Sequence, residues 1–258
     1  MPVDNSRLKG FYKLSVEQRR QRIAELANLS EDQIAALAQN GELDDSSADR
    51  MIENVIGTMS LPVGIATNFI IDNKHYVVPF CLEESSVVAA ASNMAKRCHT
   101  TGGFTSNNDQ PMMIAQIQLL DIEDHEKAVA EIEQNKEQLM ELANSLPSTM
   151  IRLGGGCKEI STRWIQTLSG PMLVVHFHVD CRDAMGANAV NTMAELLSPE
   201  LENITNGRAL LRILSNLATE RLARVTATFT PEEMSNSGDR NEGLLIIEGI
   251  LQAHHFAM

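Results

Sequence analysis

The stretch PMLVVHFHVDCRDAMGANAVNTMAELL, Pro171 to Leu197, decides the architecture. Its first half, PMLVVHFHVDCR, is apolar and rich in β-branched residues, which reads as a strand ending at about Cys181. Asp183, Ala184, Met185, Gly186, Ala187 and Asn188 then open a helix that continues as ANAVNTMAELLSPELENI. A strand running into the start of a helix is one way to build a nucleotide site, because the first-turn N–H groups and the helix dipole favour an anion. Gly186 and its alanine neighbours would let a pyrophosphate approach the backbone. A plainer reading stays open beside that one, with Asp183 as a simple N-cap and Gly186 relieving crowding. No GxGxxG occurs anywhere, so a Rossmann site is not supported.

Working outward, MMIAQIQLLDI from Met112 is a strand, and HEKAVAEIEQNKEQLMELAN reads as one long amphipathic helix. Strands follow around IRLGGGCKEISTRWIQT and PMLVVHFHVDCR, and RALLRILSNL is a further strand after the second helix. The order strand-helix-strand-strand-helix-strand gives an antiparallel sheet with helices on one side. The three glycines of LGGGCK lack phosphate-loop spacing, so they read as a turn or close packing. His176 and His178 share one strand face by period-two alternation and are expected to be exposed. No third ligand stands at metal-site spacing.

The chain before this unit opens with helices. Ser15-Val16-Glu17-Gln18 and Ser30-Glu31-Asp32-Gln33 both match the capping box. A third helix is expected from about Ala48 to Met59. GIATNFII and YVVPF, separated by DNKH, read as two strands joined by a turn, and VVAAASNMAKRC as a tightly packed helix ended by Thr100 to Gly103. After Asn216 come one more strand, ARVTATFT, and a helix from about Glu242 to Phe256, with His254 and His255 near its negative end. The thirteen methionines are expected mostly to fill the core.

Composition narrows the class. The 258 residues carry 34 acidic and 21 basic side chains, a formal net charge of -13, which repels phosphate backbones and argues against nucleic-acid partners. No apolar stretch reaches membrane-spanning length and the N-terminus has no apolar signal core, so a cytoplasmic protein is expected. Four scattered cysteines without a CxxC pair read as reduced thiols.

CLEESSVVAAAS, Cys81 to Ser92, carries the other candidate chemistry. Glu83 to Ser86 read as helix-start residues, the acids complementing the dipole and the serines capping free N–H groups. Glu84 follows directly on the apolar run YVVPFCL, however. A carboxylate buried there would be desolvated and hold a proton near neutrality.

MIENVIGTMSLPVGIATNF (Met51 to Phe69), VPFCLEESSVVAAASNMAK (Val78 to Lys96), GGFT (Gly102 to Thr105), VDCRDAMGANAVNTMAE (Val179 to Glu195) and LRILSNL (Leu211 to Leu217) together resemble 3-hydroxy-3-methylglutaryl-CoA reductase of the soluble bacterial, degradative-type class. The words lie in the family's order and span nearly the whole chain. The resemblance implies an α+β protein with a helix-rich large domain that binds the CoA thioester (residues 1–110 and an incomplete return segment, 218–258). A smaller ferredoxin-like domain for NAD or NADP would be inserted at 111–217. It implies interconversion of 3-hydroxy-3-methylglutaryl-CoA with mevalonate and CoA by two hydride transfers, without a metal. It also implies a homodimer or higher homo-oligomer with active sites at the dimer interface. Glu84 matches the catalytic acid, Ser86 the serine that holds the hydroxymethylglutaryl portion, Asp183 to Asn188 the dinucleotide-binding word, and Asn216 an asparagine lining the nicotinamide site.

Three departures accompany the match. Ser85 replaces a proline, and Pro147 stands where the family has an acid that favours NAD. The family's catalytic lysine, aspartate and histidine, with the arginine for the substrate carboxylate, fall beyond Met258. The chain alone is therefore expected to lack them. The alternative that follows is a catalytically incomplete remnant that keeps dinucleotide or CoA binding, or oligomerisation.

Overall fold

A computed structural model describes residues 1–39 and 43–258. It divides into two compact units, residues 1–106 with 225–258, and residues 107–224. The boundaries drawn from sequence at 111 and 217 fall inside the second unit. The segments just outside them are tied together there, because Asp109 N–H donates to the Leu222 carbonyl (2.9 Å) and the Asp109 carboxylate pairs with Arg224.

In the first unit β1 (Pro2–Val3) precedes α1 (Val16–Ala27) and α2 (Glu31–Ala38). Both helices begin in complete capping boxes, in which the Ser15 and Ser30 hydroxyls accept from Gln18 and Gln33 and each glutamine side chain reaches back. The next helix, α3, spans only Asp45–Asp49. The expected continuation to Met59 does not form: Asn54 takes a left-handed backbone (φ 57°), and the β-branched pair Val55-Ile56 before Gly57 adds little helix propensity. Strands β2 (Val63–Ile71) and β3 (Lys74–Cys81) form an antiparallel hairpin, and α4 (Val87–Arg97) packs on β2. Strand β4 (Phe104–Asn108) pairs parallel to β2 at Ile71–Phe104.

The second unit runs β5 (Met112–Leu120), α5 (His125–Gln134), α6 (Lys136–Asn144), α7 (Thr149–Arg152), β6 (Gly156–Thr167), β7 (Gly170–Asp180), α8 (Ala187–Thr205) and β8 (Arg208–Leu214). Its sheet has the order β6-β7-β5-β8 with every neighbouring pair antiparallel, the split βαβ arrangement rather than a parallel dinucleotide fold. The single helix expected over 125–144 is two. Asn135 sits at φ -98°, ψ 7°, and its amide side chain donates to the Glu131 carbonyl (2.8 Å), closing the first helix locally.

Alternation puts Ala115, Ile117 and Leu119 of β5 and Leu173, Val175, Phe177 and Val179 of β7 on one face. They are buried there against Ile132, Leu139, Met193, Leu197 and Leu201 of the helices. Each fully buried large side chain contributes about 1.5–3 kcal/mol, which makes this core the chief stabiliser of the unit.

The chain returns through β9 (Ala223–Ala227), α9 (Pro231–Met234) and α10 (Arg240–Ala257), and β9 completes the first sheet in the order β1-β3-β2-β4-β9. Among the described residues no helix is long and apolar enough to cross a membrane. The methionines are mostly not core residues. Met113, Met150, Met193 and Met234 are buried, whereas Met51, Met59 and Met185 are well exposed. All four cysteines are free thiols, Cys81 exposed and the others buried.

Candidate active site

In the first unit the bend 82–86 joins β3 to α4, and its neighbours are pinned from below. Strand β2 bulges between Ala66 and Phe69, with Asn68 at φ 70°. There the Thr67 N–H donates to Ser92 Oγ (3.0 Å), and Asn68 Nδ2 donates to the Ser92 carbonyl (2.9 Å). Ser92 Oγ donates in turn to the Val88 carbonyl (2.8 Å), so the first turns of α4 are fixed on the sheet. The bend is held at its other side by the Leu82 N–H donating to the Pro62 carbonyl (3.2 Å). The alanines of α4 are less buried than expected: Ala95 alone is buried, and Ala89 and Ala90 are exposed.

This geometry corrects the helix-start reading of Glu83 to Ser86. The helix begins only at Val87, its first turn contains no acid, and its N-cap Ser86 makes no side-chain cap bond. Ser86 instead sits at φ 73°, ψ -27°, a left-handed backbone that a serine adopts at a cost. Its hydroxyl is thus not spent on the helix and is exposed beside Glu84, which is exposed too. The burial expected for Glu84 is not supplied by the described residues of this chain. Strand β3 ends at Cys81, and Glu83, Glu84, Ser85 and Ser86 are all exposed in the segment that follows it.

In the second unit, Asp183 to Asn188 and Asn216 lie at one end of the sheet. Strand β7 finishes at Asp180 opposite Met112 of β5 and Gly156 of β6, and β8 finishes at Leu214 opposite Ala115. Asp183 is not the cap of α8. The cap is Gly186, at φ 90°, with no side-chain cap bond, and Asp183 is exposed in the preceding turn. A Cβ on Gly186 would lie 2.3 Å from Cys181 Sγ, so the crowding reading of this glycine holds. As at any helix start, the first-turn N–H groups of this 19-residue helix have no intrahelical acceptor, and the N-cap Gly186 supplies no side chain to cap them. Ala184, Met185 and Asn188 are exposed around them, and Ala187 is half-buried. Asn216 is exposed in the bend after β8, whose Ser215 N–H donates to the Ile114 carbonyl (2.7 Å).

Two anchors of this end escaped the sequence reading. Arg182 donates to the Gly154 carbonyl (2.6 Å), and Arg221 donates to the carbonyls of Ala184 (2.9 Å) and Met185 (3.1 Å). The glycines of LGGGCK are close-packed as expected, a Cβ on Gly155 meeting the Asp180 carbonyl at 2.5 Å and one on Gly156 meeting Asn144 Oδ1 at 2.3 Å. His178 departs from expectation: it is 8% exposed, with Nε2 2.8 Å from Ser161 Oγ and Nδ1 2.8 Å from Glu220 Oε2. The structure thus groups Glu84 with Ser86 in one unit, and Asp183 to Asn188 with Asn216 in the other. Among the described residues no cluster of three or more His, Cys, Asp or Glu is placed to hold a metal.

These features define a class: an α+β protein whose antiparallel, helix-backed unit is inserted into a second unit and presents a glycine-opened helix N-terminus. Residues 15–258 match the family described as hydroxymethylglutaryl-coenzyme A reductase, and the chain belongs to that family. It is 49% identical over 253 residues to a 3-hydroxy-3-methylglutaryl-coenzyme A reductase of Archaeoglobus fulgidus, a match covering 98% of this chain and 56% of that protein. It is 32% identical over 216 residues to a probable enzyme of the same name from Borreliella burgdorferi, covering 84% of this chain and 48% of that one. The chain therefore spans about half the length of these relatives.

Among solved structures, a 3-hydroxy-3-methylglutaryl-coenzyme A reductase from Streptococcus pneumoniae superposes with a TM-score of 0.91 at 36% identity, covering 97% of this chain and 59% of that one. A class II enzyme of the same organism, described as bound to NADPH in open conformations, superposes with a TM-score of 0.90 at 36% identity, covering 96% and 67%.

Proposed function

We propose that this chain carries the Glu84 side and the dinucleotide side of a hydroxymethylglutaryl-CoA reductase. The reading rests on the match of residues 15–258 to that family. The overall change balances as one thioester, two reduced dinucleotides and two protons giving mevalonate, CoA thiol and two oxidised dinucleotides. Bound NAD or NADP supplies or takes up the hydride, and everything else falls to the protein.

Glu84, in its protonated form, gives its proton to the carbonyl oxygen as the hydride arrives, and recovers it in the oxidative direction. Ser86 uses its uncommitted hydroxyl to hold the hydroxymethylglutaryl portion. The N-terminus of α8, opened by Gly186 and edged by Asp183, Ala184, Met185, Ala187 and Asn188, receives the anionic dinucleotide, and Asn216 lines the nicotinamide end. The solved neighbour described with NADPH makes the phosphorylated dinucleotide a reasonable cofactor to try first. Pro147 removes from this chain the acid that would favour NAD.

The desolvation that Glu84 needs is assigned to another copy of the chain. Ile56 and Met59 before β2, and Leu245 and Phe256 on α10, are 69–104% exposed, which is apolar area that association would cover. A homo-oligomer with its active sites at the interface is the assembly we favour. The reducing cytoplasm suits four free thiols.

The test is oxidation of NADH and of NADPH with 3-hydroxy-3-methylglutaryl-CoA, comparing the chain with Glu84→Gln. The amide cannot deliver a proton, so turnover should fall by about 10²–10⁴. Turnover indifferent to that change sinks the assigned role. Dinucleotide binding with no turnover in either protein marks the chain as a binding module.

A further inference from the structure

The face of the second unit's sheet opposite its core carries a connected set of polar groups. His178 of β7 lies between Ser161 Oγ of β6 and the carboxylate of Glu220, each 2.8 Å from one ring nitrogen. A carboxylate only accepts, so Nδ1 carries the hydrogen and donates to Glu220. The very next residue, Arg221, directs its guanidinium to the carbonyls of Ala184 and Met185. Segment 215–222 is thus held at two adjacent positions, one to the strand and one to the turn that leads into α8. Its beginning is fixed by the Ser215 N–H on the Ile114 carbonyl, and Asn216 stands between these anchors.

A serine, a histidine and an acid in this order also invite a nucleophile reading. Ser161, however, lies mid-strand in register with His176, not on a sharp turn whose neighbouring N–H groups could receive an oxyanion. The geometry favours support over attack.

We infer that His178, Glu220 and Arg221 are positioning residues of the dinucleotide site. His178 fixes Glu220 and Glu220 fixes the segment. Arg221 then holds the Ala184–Met185 turn and Asn216 in the one arrangement that receives the cofactor. Arginine suits the task because one planar guanidinium bridges two successive carbonyls, which an ammonium group does less well. This inference rests on the function proposed above.

The test titrates the 258-residue chain with NADH and NADPH and compares Arg221→Gln, Arg221→Lys and Glu220→Ala. Arg208→Gln serves as control, since Arg208 pairs with Asp121 at the far end of β8. Arg221→Gln and Glu220→Ala should raise Kd for both dinucleotides by about tenfold or more, the worth of a charge-assisted hydrogen bond. Arg221→Lys should recover part of the loss, and the control none of it should touch. Melting temperatures should stay close to the parent. Native-state amide exchange over residues 182–189 is measured in parallel without ligand, and should quicken about tenfold in Arg221→Gln.

An unchanged Kd in Arg221→Gln, in a parent that binds, overturns the inference. A parent that binds neither dinucleotide refutes the proposed function instead. In that case unchanged exchange in Arg221→Gln still overturns the positioning role, and quickened exchange upholds it.

Discussion

Replacing Gly186 by alanine tests the helix opening on which the dinucleotide reading depends. Two costs can be worked from the structure. The backbone stands at φ 90°, ψ -7°, where a Cβ meets the following carbonyl, a penalty of about 1–2 kcal/mol for an L-residue. The added methyl would also lie 2.3 Å from Cys181 Sγ and 2.9 Å from Cys181 Cβ. Cys181 has little room to retreat: it is fully buried, its N–H donates to the Pro111 carbonyl (3.0 Å), and its thiol points to the Val179 carbonyl. Overpacking of this kind costs about 1–3 kcal/mol. The reduced freedom of the unfolded chain returns about 0.4–1 kcal/mol. The net expectation is a loss of about 2–4 kcal/mol.

The assay is urea unfolding followed by circular dichroism, read at the transition that contains residues 107–224, with the slope checked for constancy. The double variant Gly186→Ala/Cys181→Ala removes the sulfur but leaves the backbone cost. It should therefore recover about 1–2 kcal/mol relative to the sum of the two single changes. A Gly186→Ala protein within about 0.5 kcal/mol of the parent, or strictly additive single changes, refutes the crowding argument.

Two further outcomes follow from titratable groups. Burial pushes the Cys157 thiol up to about 11 and raises those of Cys98 and Cys181, whereas Cys81 is exposed. Ellman's reagent at pH 8 should therefore modify one thiol per native chain quickly, and all four in urea. A Cys81→Ser protein that keeps a fast thiol contradicts this. Burial, reinforced by His178 and Arg163, holds the His176 imidazole below its ordinary value. The unfolded chain then binds a proton near pH 6.5 that the folded chain refuses until lower pH, so stability is full above that point and is lost on acidification. The fall in melting temperature from pH 7.5 to 5.5 should be smaller in His176→Gln, and an equal fall in both proteins excludes the effect.

What could be read from the chain depended on how far each contact reaches along it. The capping boxes at Ser15 and Ser30, the alternation of MMIAQIQLL and PMLVVHFHV, and the strand-to-helix switch before ANAVNTM are local, and the sheet order follows from them with few alternatives. The misreadings arose where two local rules compete. An acid or serine before an apolar helix looks like a cap, yet at Ser86 and Gly186 the backbone turns left-handed and the helix starts without one. In the same way Asn135 interrupts a perfect amphipathic pattern through its own side chain.

The polar support of the candidate site has no local signature at all. His178 finds Glu220 across 42 residues and Arg221 finds Ala184 across 37, so period two could place His178 on a face but not tell that an acid closes over it. An exposed-looking His-x-His on the polar face of a sheet is nevertheless a useful flag. A half-buried imidazole pair needs an acceptor for at least one ring N–H, and here that acceptor is Glu220, the residue next to the arginine that holds the Ala184–Met185 turn.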